Sequence, residues 1–512
     1  MSQTVDHPEY RAKLPDPKTA ENITYNPPLE QLREFARHDE TTTEYGSPRY
    51  VSEQKSRSAD QTKNLVDDEF SERDWEAIET ALEEVTDREL VCLDRQVGGH
   101  PETSYVCRLF VPREFSRIAL AWAKLLEPVE ERADSGTGDP DFQTLQLPSW
   151  DDRDGRRRRI RVLPESGLTF VLGSDYTGEA KKSFLRLYMY RAKQQGGLGL
   201  HAGSKRVTIE DDDELQTVGQ AFLGLSATGK STLTGHGCWL EAPEGAEMLQ
   251  DDVCALLPDG QITGSEGNGL YIKTEGLSES EQPSLYRAAT HESAVFENVW
   301  VEDDGTVDFE ETRLTTNGRA VVLREHLASA SPDIDLGRVD QLFFITRNPL
   351  MPPVARLDAR QAAVAFMLGE SIQTSAGNPD AAGESIRVVG TNPFIIGREG
   401  EEGNRFYELV ADNDIECFVL NTGHVGPATA DIGVRESVSI LTSVAREEVE
   451  WYHDETLGLE LPVAVPGIDV TAFYPPDHYD GFPQQLRDLR TERRNYLDQF
   501  DHLADDIKEA VY

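Results

Sequence analysis

The stretch FLGLSATGKSTLTGHG, starting at Phe222, constrains the fold more than any other part of the chain. Gly224, Gly229, Lys230 and Ser231 fit the pattern G-x-x-x-x-G-K-[ST], which stands here between the apolar run Gln220 to Leu223 and a helix-forming stretch. In a strand–glycine loop–helix unit, backbone N–H groups converge on phosphate oxygens. The lysine neutralises the β- and γ-phosphates, and the next residue's hydroxyl binds Mg²⁺. Gly224, Leu225, Ser226, Ala227, Thr228, Gly229, Lys230, Ser231 and Thr232 are therefore the expected nucleotide-binding residues, with Lys230 and Ser231 in those two roles. Mg²⁺ also prefers a carboxylate in nearly octahedral oxygen coordination. Asp251 and Asp252, at the end of the next apolar strand, are placed to supply it, the alternative being an ordinary acidic surface pair.

A P-loop unit fills only part of 512 residues, so two or more domains are expected. The chain carries 93 acidic and 50 basic side chains, a formal charge of −43, spread along its whole length. That balance argues against nucleic acid as a partner, because phosphate backbones demand a basic footprint. A folded chain this acidic repels itself, and the repulsion weakens when salt shortens the Debye length to about 3 Å at 1 M. A salt-rich cytoplasm, as in a halophile, is the expectation. Five cysteines, none in a CxxC pair, read as reduced thiols of a cytosolic protein. The N-terminus has no apolar h-region and no later run approaches 18 uncharged apolar residues, so neither export nor a membrane is expected.

Along the chain, the first sixty residues are polar and proline-rich and read as a loose surface wrap. Trp75, Ile78, Leu82 and Val85 mark one helical face, and Phe115 to Leu126 another helix. Ile160 to Leu163 and Leu168 to Leu172 form a hairpin about Pro164–Gly167, with the arginines 156–159 read as a solvated strand edge. A polar, acidic bridge from Gly203 through DDDELQ leads to the P-loop strand. Leu342 to Thr346 and Ile415 to Leu420 are buried-type strands, Asp358 caps a helix through Leu368, and a helical segment runs on from Gln484.

The stretch YTGEAKK places Tyr176, Glu179, Lys181 and Lys182 together at a strand end. Two lysines there fit a solvated helix start. A lysine beside a metal, however, loses its proton to the cation's field and becomes a ligand. His201 offers a neutral nitrogen of the kind transition metals bind.

These segments together resemble the ATP-dependent phosphoenolpyruvate carboxykinases, from roughly Arg57 to about Pro476. YTGEAKKSF is similar to the family's Y-x-G-E-x-K-K, GLHAGS to M-H-C-S-A, and GLSATGKSTL to G-L-S-G-T-G-K-T-T-L. GLYIKTEGLSESEQPSLYRA, FENVWVEDDGTVDFEETRLTTNGR and NTGHVG match further segments. The glycine loop resembles the ATP-using branch rather than the GTP-using one, whose loop carries a cysteine. KSRSADQTK matches the family's G-R-S-P-K-D-K only weakly, and LQDDVCALL keeps the two aspartates of G-D-D-E-H-G-W but not the E-H-G-W after them.

The resemblance implies a two-domain α/β fold: a mixed-sheet, oxaloacetate-binding N-terminal domain over residues 1–198 and a P-loop-containing nucleotide- and metal-binding domain over residues 199–512. It implies Mn²⁺ on Lys182, His201 and Asp252, with Lys230 and Ser231 holding ATP and its Mg²⁺. Tyr176 and Arg57 would hold oxaloacetate's carboxylates, Lys181 and Arg319 would stabilise the transferring phosphate, and Asp251 would order the metal site. Phosphoenolpyruvate and CO2 are the expected products, and the expected form is a cytoplasmic monomer or weak oligomer. Two readings of other classes remain: a P-loop protein kinase/phosphorylase, and a regulator that binds nucleotide without turnover.

Overall fold

The P-loop strand, Glu214–Leu223, lies inside an eight-stranded sheet. The computed structural model describes residues 7–129, 139–151, 158–211, 214–225, 228–372, 385–427 and 430–512. Contacts divide the chain into two units, residues 1–191 with 265–328, and residues 192–264 with 329–512.

In the second unit the sheet order is Gly245–Gln250, Ala202–Asp211, Glu214–Leu223, Gln341–Thr346, Glu416–Asn421, Val354–Leu357, Leu459–Pro462, Trp451–Asp454. Its centre is parallel, with Phe222 opposite Phe343 and Phe343 opposite Phe418. This register stacks the three rings on one face at 5.5 and 5.0 Å between centroids. Phe344 turns to the other face and meets Phe406, which stacks on Phe366 of the helix Ala359–Leu368. Burying such rings on both faces stabilises the sheet by about 2 kcal/mol each. Asp358 caps that helix as expected, accepting from the N–H groups of Arg360 and Gln361. The acidic bridge from Gly203 is instead a long antiparallel hairpin, Ala202–Asp211 with Glu214–Leu223, whose inner residues such as Val207 are buried. Glu210, Asp211 and Glu214 are exposed, where charge is solvated; Asp212 and Asp213 lie outside the described residues.

The first unit holds a mixed sheet in the order Ile23–Tyr25, Leu90–Val97, Tyr105–Pro112, Phe142–Leu147, Leu168–Leu172, Arg159–Leu163, Thr62–Asn64. The expected helices are Glu72–Glu84 and Ser116–Leu125, and the expected hairpin pairs Leu168 with Leu163. A second sheet joins Gly269–Lys273, Arg319–Leu323, Val295–Glu297, Pro48–Tyr50 and Thr41–Thr42. That pairing is why residues 265–328 group with the N-terminal part, whereas a single cut after residue 198 assigns them to the C-terminal part. The opening residues are not a loose wrap. Ile23–Tyr25 adds a strand to the first sheet, and Leu32, Ala36 and Tyr50 are buried.

Arg159 is not at a solvated edge either. Its strand is flanked on both sides, and Arg159 and Arg161 turn inward onto the buried Asp74 at 3.1 and 2.8 Å. Burial alone would raise the Asp74 carboxyl, but hydrogen bonds from Arg161 and Ser71 hold it well below the usual carboxylate range. Arg156, Arg157, Asp152 and Asp154 lie outside the described residues.

A similar buried centre in the second unit gives a pH prediction. Glu370 accepts from Arg493 and Arg387, each at 2.8 Å, and from Asn348 at 2.7 Å. Burial pushes this carboxyl up, but the two guanidinium groups and the amide bring it down to about 2. A depressed folded-state pKa gives stability that is complete above the unfolded value of about 4.3 and lost as pH falls towards 2. Denaturant titrations between pH 5 and 2 should therefore show about 3 kcal/mol of acid-dependent loss that Glu370→Gln no longer shows. An unchanged pH profile in that variant would refute the assignment.

Candidate active site

In the second unit the glycine loop leaves the strand at Leu223 and enters the helix Lys230–Gly235. Two glycines are dictated by geometry. A Cβ at Gly224 would stand 2.6 Å from Thr228 Oγ1 and 3.1 Å from Ile345 Cβ, and Gly229 has φ +98°, a left-handed conformation that disfavours a side chain. Thr422, just past the strand Glu416–Asn421 that lies next but one to the P-loop strand, donates its hydroxyl to the Thr228 carbonyl at 2.7 Å and so ties the loop to the sheet. The far end of the helix is held by the fully buried Lys205, whose ammonium donates to the carbonyls of Leu233 and His236. A cation at a helix C-terminus also complements the helix dipole. Lys230 Nζ is buried and, among the described residues, has no hydrogen-bond partner. Ser231 is exposed and Thr232 half-buried, while Ser226 and Ala227 lie outside the described residues. A buried ammonium with no acceptor among the described residues, at the start of a helix that follows a glycine loop, suits a phosphate partner.

Asp251 and Asp252 come directly after the strand Gly245–Gln250, and both are half-buried. Asp252 Oδ1 lies 3.0 Å from His201 Nε2, and His201 Nδ1 lies 2.8 Å from the Thr391 carbonyl oxygen. The carbonyl can only accept, so Nδ1 carries the proton and, in the neutral ring, Nε2 presents its lone pair towards the Asp252 carboxylate. Two electron-pair donors facing each other is an arrangement that a cation relieves, and a carbonyl on the remote nitrogen is the usual orienting contact of a metal-bound histidine. Among the described residues no group of three or more His, Cys, Asp or Glu is placed to hold a metal.

In the first unit Tyr176 precedes the helix Thr177–Gln194, which carries Lys181 and Lys182 in its early turns. The buried Glu297 carboxylate accepts from Thr177 N–H at 3.0 Å and Thr177 Oγ1 at 3.1 Å, holding the helix start by hydrogen bond and dipole. Burial pushes the Glu297 carboxyl above its ordinary range, against Arg117 and the donated Tyr271 hydroxyl. The Tyr271 ring gathers three of the expected residues. The Tyr176 ring lies 6.3 Å away, and Lys181 Nζ and the Arg319 guanidinium stand 5.7 and 5.5 Å from its centroid.

Lys181 is buried rather than the solvated helix start its setting also allowed, and it pairs with Glu266 at 2.8 Å. Lys182 is half-buried. Asn317 links Tyr176 and Arg319, donating to the Tyr176 hydroxyl at 3.2 Å and accepting from Arg319 at 2.8 Å. Arg57 lies near Glu179, whose charge opposes the burial that lowers the arginine's pKa. The sequence motifs assign no role to Tyr271, Glu297, Asn317 or Glu266. The first three sat in GLYIKTEGL, FENV and TTNGR, matched as segments without roles.

A family model described as phosphoenolpyruvate carboxykinase matches residues 21–471. A protein of Aeropyrum pernix named phosphoenolpyruvate carboxykinase (ATP) is 35% identical over 486 residues, 93% of this chain and 94% of its own. Proteins of the same name from Mesorhizobium japonicum and Alkaliphilus oremlandii are 29% identical over 355 residues and 26% over 452 residues. The first of these alignments covers 66% of this chain and 63% of its relative, the second 84% and 82%.

Proposed function

The chain belongs to the phosphoenolpyruvate carboxykinase (ATP) family, and from that premise we propose which of its residues carry the reaction. The enzyme converts oxaloacetate and ATP to phosphoenolpyruvate, ADP and CO2, a step of gluconeogenesis that uses divalent metal with ATP. This family membership sets aside the protein kinase/phosphorylase reading. Loss of CO2 leaves the enolate of pyruvate, and the enolate oxygen attacks the γ-phosphorus in line while the bond to the leaving ADP oxygen breaks.

His201, Asp252 and Lys182 are the proposed Mn²⁺ ligands, with the Lys182 amine deprotonated and Asp251 ordering the site. Bound there, the ion supplies positive charge beside the developing enolate oxygen. The observation that carries this assignment is the 3.0 Å approach of His201 Nε2 to Asp252 Oδ1 with Nδ1 already engaged by Thr391. Lys230 and the glycine-loop amides hold the ATP phosphates, and Ser231 holds the accompanying Mg²⁺. Tyr176 and Arg57 hold the oxaloacetate carboxylates. Lys181 and Arg319 are the proposed stabilisers of the phosphate in transfer, with Glu266 tempering the charge of Lys181. On this proposal the N-terminal domain carries the oxaloacetate-binding role and contributes Lys182, and the C-terminal domain carries the nucleotide role with the metal ligands His201 and Asp252.

The direct test is phosphoenolpyruvate formation from oxaloacetate, ATP and Mn²⁺ in high salt. No turnover would overturn the reading and favour a nucleotide-binding regulator.

A salt-rich cytoplasm is the proposed setting, with the chain a monomer or weak oligomer having no nucleic acid or membrane partner. Its charge of −43 and five buried, free cysteines support this reading. Among the described residues no helix is long and apolar enough to cross a membrane. Unfolding in dilute buffer and in multimolar KCl tests the salt requirement. The midpoint should rise in KCl as the Debye length falls to about 3 Å or less, and equal midpoints would sink the idea.

A further inference from the structure

The loop from Ser52 to Ser58 carries Arg57, and three of its backbone N–H groups are held by carboxylates. Asp175 Oδ2 accepts from Glu53 N–H at 2.7 Å, and Oδ1 accepts from Gln54 N–H at 2.9 Å. Glu179 Oε1 accepts from Ser58 N–H. Asp175 immediately precedes Tyr176, and Glu179 lies one helical turn beyond it. The two carboxylates therefore bracket one proposed substrate residue and clasp, on both sides, the loop that bears the other. Asn317 adds a third link, donating to the Lys55 carbonyl at 2.7 Å and to the Tyr176 hydroxyl at 3.2 Å.

We propose that Asp175 and Glu179 are positioning residues for oxaloacetate, fixing the Arg57 loop against Tyr176 through the backbone N–H groups of Glu53, Gln54 and Ser58. The proposal rests on the assignment of Arg57 and Tyr176 to the substrate carboxylates.

The charges are suited to the task. A carboxylate accepting from backbone N–H makes a charge-assisted bond, stronger and shorter than a neutral one. Each buried acid has a fixed counter-charge. Arg117 donates to Asp175 Oδ2 at 2.6 Å and to its carbonyl at 2.9 Å. Arg186, fully enclosed, and Arg57 both act on Glu179, whose carboxyl burial pushes above its ordinary range. A clasp on backbone amides does not depend on the loop's side chains. The side chains of KSRSADQTK can therefore vary without removing these three backbone bonds.

The test combines steady-state kinetics with hydrogen exchange on the full-length protein for Glu179→Ala, Glu179→Gln, Arg57→Ala and the double variant Glu179→Ala/Arg57→Ala. Glu179→Ala should raise KM for oxaloacetate about 10- to 100-fold, the scale of a misplaced binding group, and leave KM for ATP at the parental value. Amide exchange at residues 53–58 should accelerate with it. In the double variant the two effects should not add, because a loop already released loses little more when its arginine is removed. Glu179→Gln retains an acceptor oxygen and should fall between parent and Ala; it also supplies the comparison if the Ala variant does not fold. A raised KM in Arg57→Ala combined with full additivity, or with parental exchange in the released variant, would overturn the clasp alone. A parental KM in Arg57→Ala would overturn the substrate assignment, and the proposal with it.

Discussion

Asp252→Asn and Lys182→Ala are each expected to lower phosphoenolpyruvate formation about 1000-fold or more, the equivalent of roughly 4 kcal/mol of lost transition-state stabilisation. The Asn variant keeps the size of the side chain and removes its charge. His201 Nε2 then faces an amide at 3.0 Å rather than a carboxylate, and the NH2 group can donate to the imidazole lone pair, closing the position in which a cation would be held. Titrating Mn²⁺ and monitoring the free ion by magnetic resonance should show weaker binding in both variants, while ATP binding through the glycine loop stays near parental. Full turnover by both variants would overturn the metal assignment. Lost turnover with parental Mn²⁺ affinity would place Asp252 and Lys182 elsewhere in the reaction.

Local signals carried the parts of the molecule whose chemistry is local. The glycine loop, the Asp358 cap and the two amphipathic helices stand where residue pattern puts them, because each depends on neighbours within a few positions. Buried charge was harder to read. Arg159 and Arg161 alternate with Ile160 and Val162 in a strand whose polar face is enclosed, and the counter-charge comes from Asp74, far earlier in the chain. The same limit applies to the site. Tyr271, Glu297 and Asn317 reach Tyr176, Thr177 and Lys181 because Gly269–Lys273 and Val295–Glu297 both pair with Arg319–Leu323, a register that motif spacing does not encode. The hairpin of Ala202–Asp211 with Glu214–Leu223 was obscured by the acidic run at residues 210–214, which looks like a linker although residues such as Val207 and Ala221 are buried.

Lys230→Met should raise the melting temperature of the nucleotide-free protein and at the same time abolish tight ATP binding. Lys230 Nζ is buried and, among the described residues, meets no hydrogen-bond acceptor. A cation left in that state costs the folded protein desolvation without return. Methionine retains most of the apolar stem and carries no charge, so the folded form should gain about 1 to 2 kcal/mol, or roughly 1–2 °C for a chain of 512 residues. Saturating ATP reverses the order. At about 100 times its dissociation constant the nucleotide stabilises the parent by about 2.7 kcal/mol through mass action, whereas the variant gains little because the β/γ-phosphate charge has lost its partner. Turnover should fall about 1000-fold in parallel. Thermal scans of both proteins with and without Mg²⁺–ATP therefore give a crossing pattern that general destabilisation cannot imitate. A variant less stable than the parent in the absence of nucleotide would show that Lys230 already has its compensating charge within the protein, and that the loop is not a site held open for phosphate.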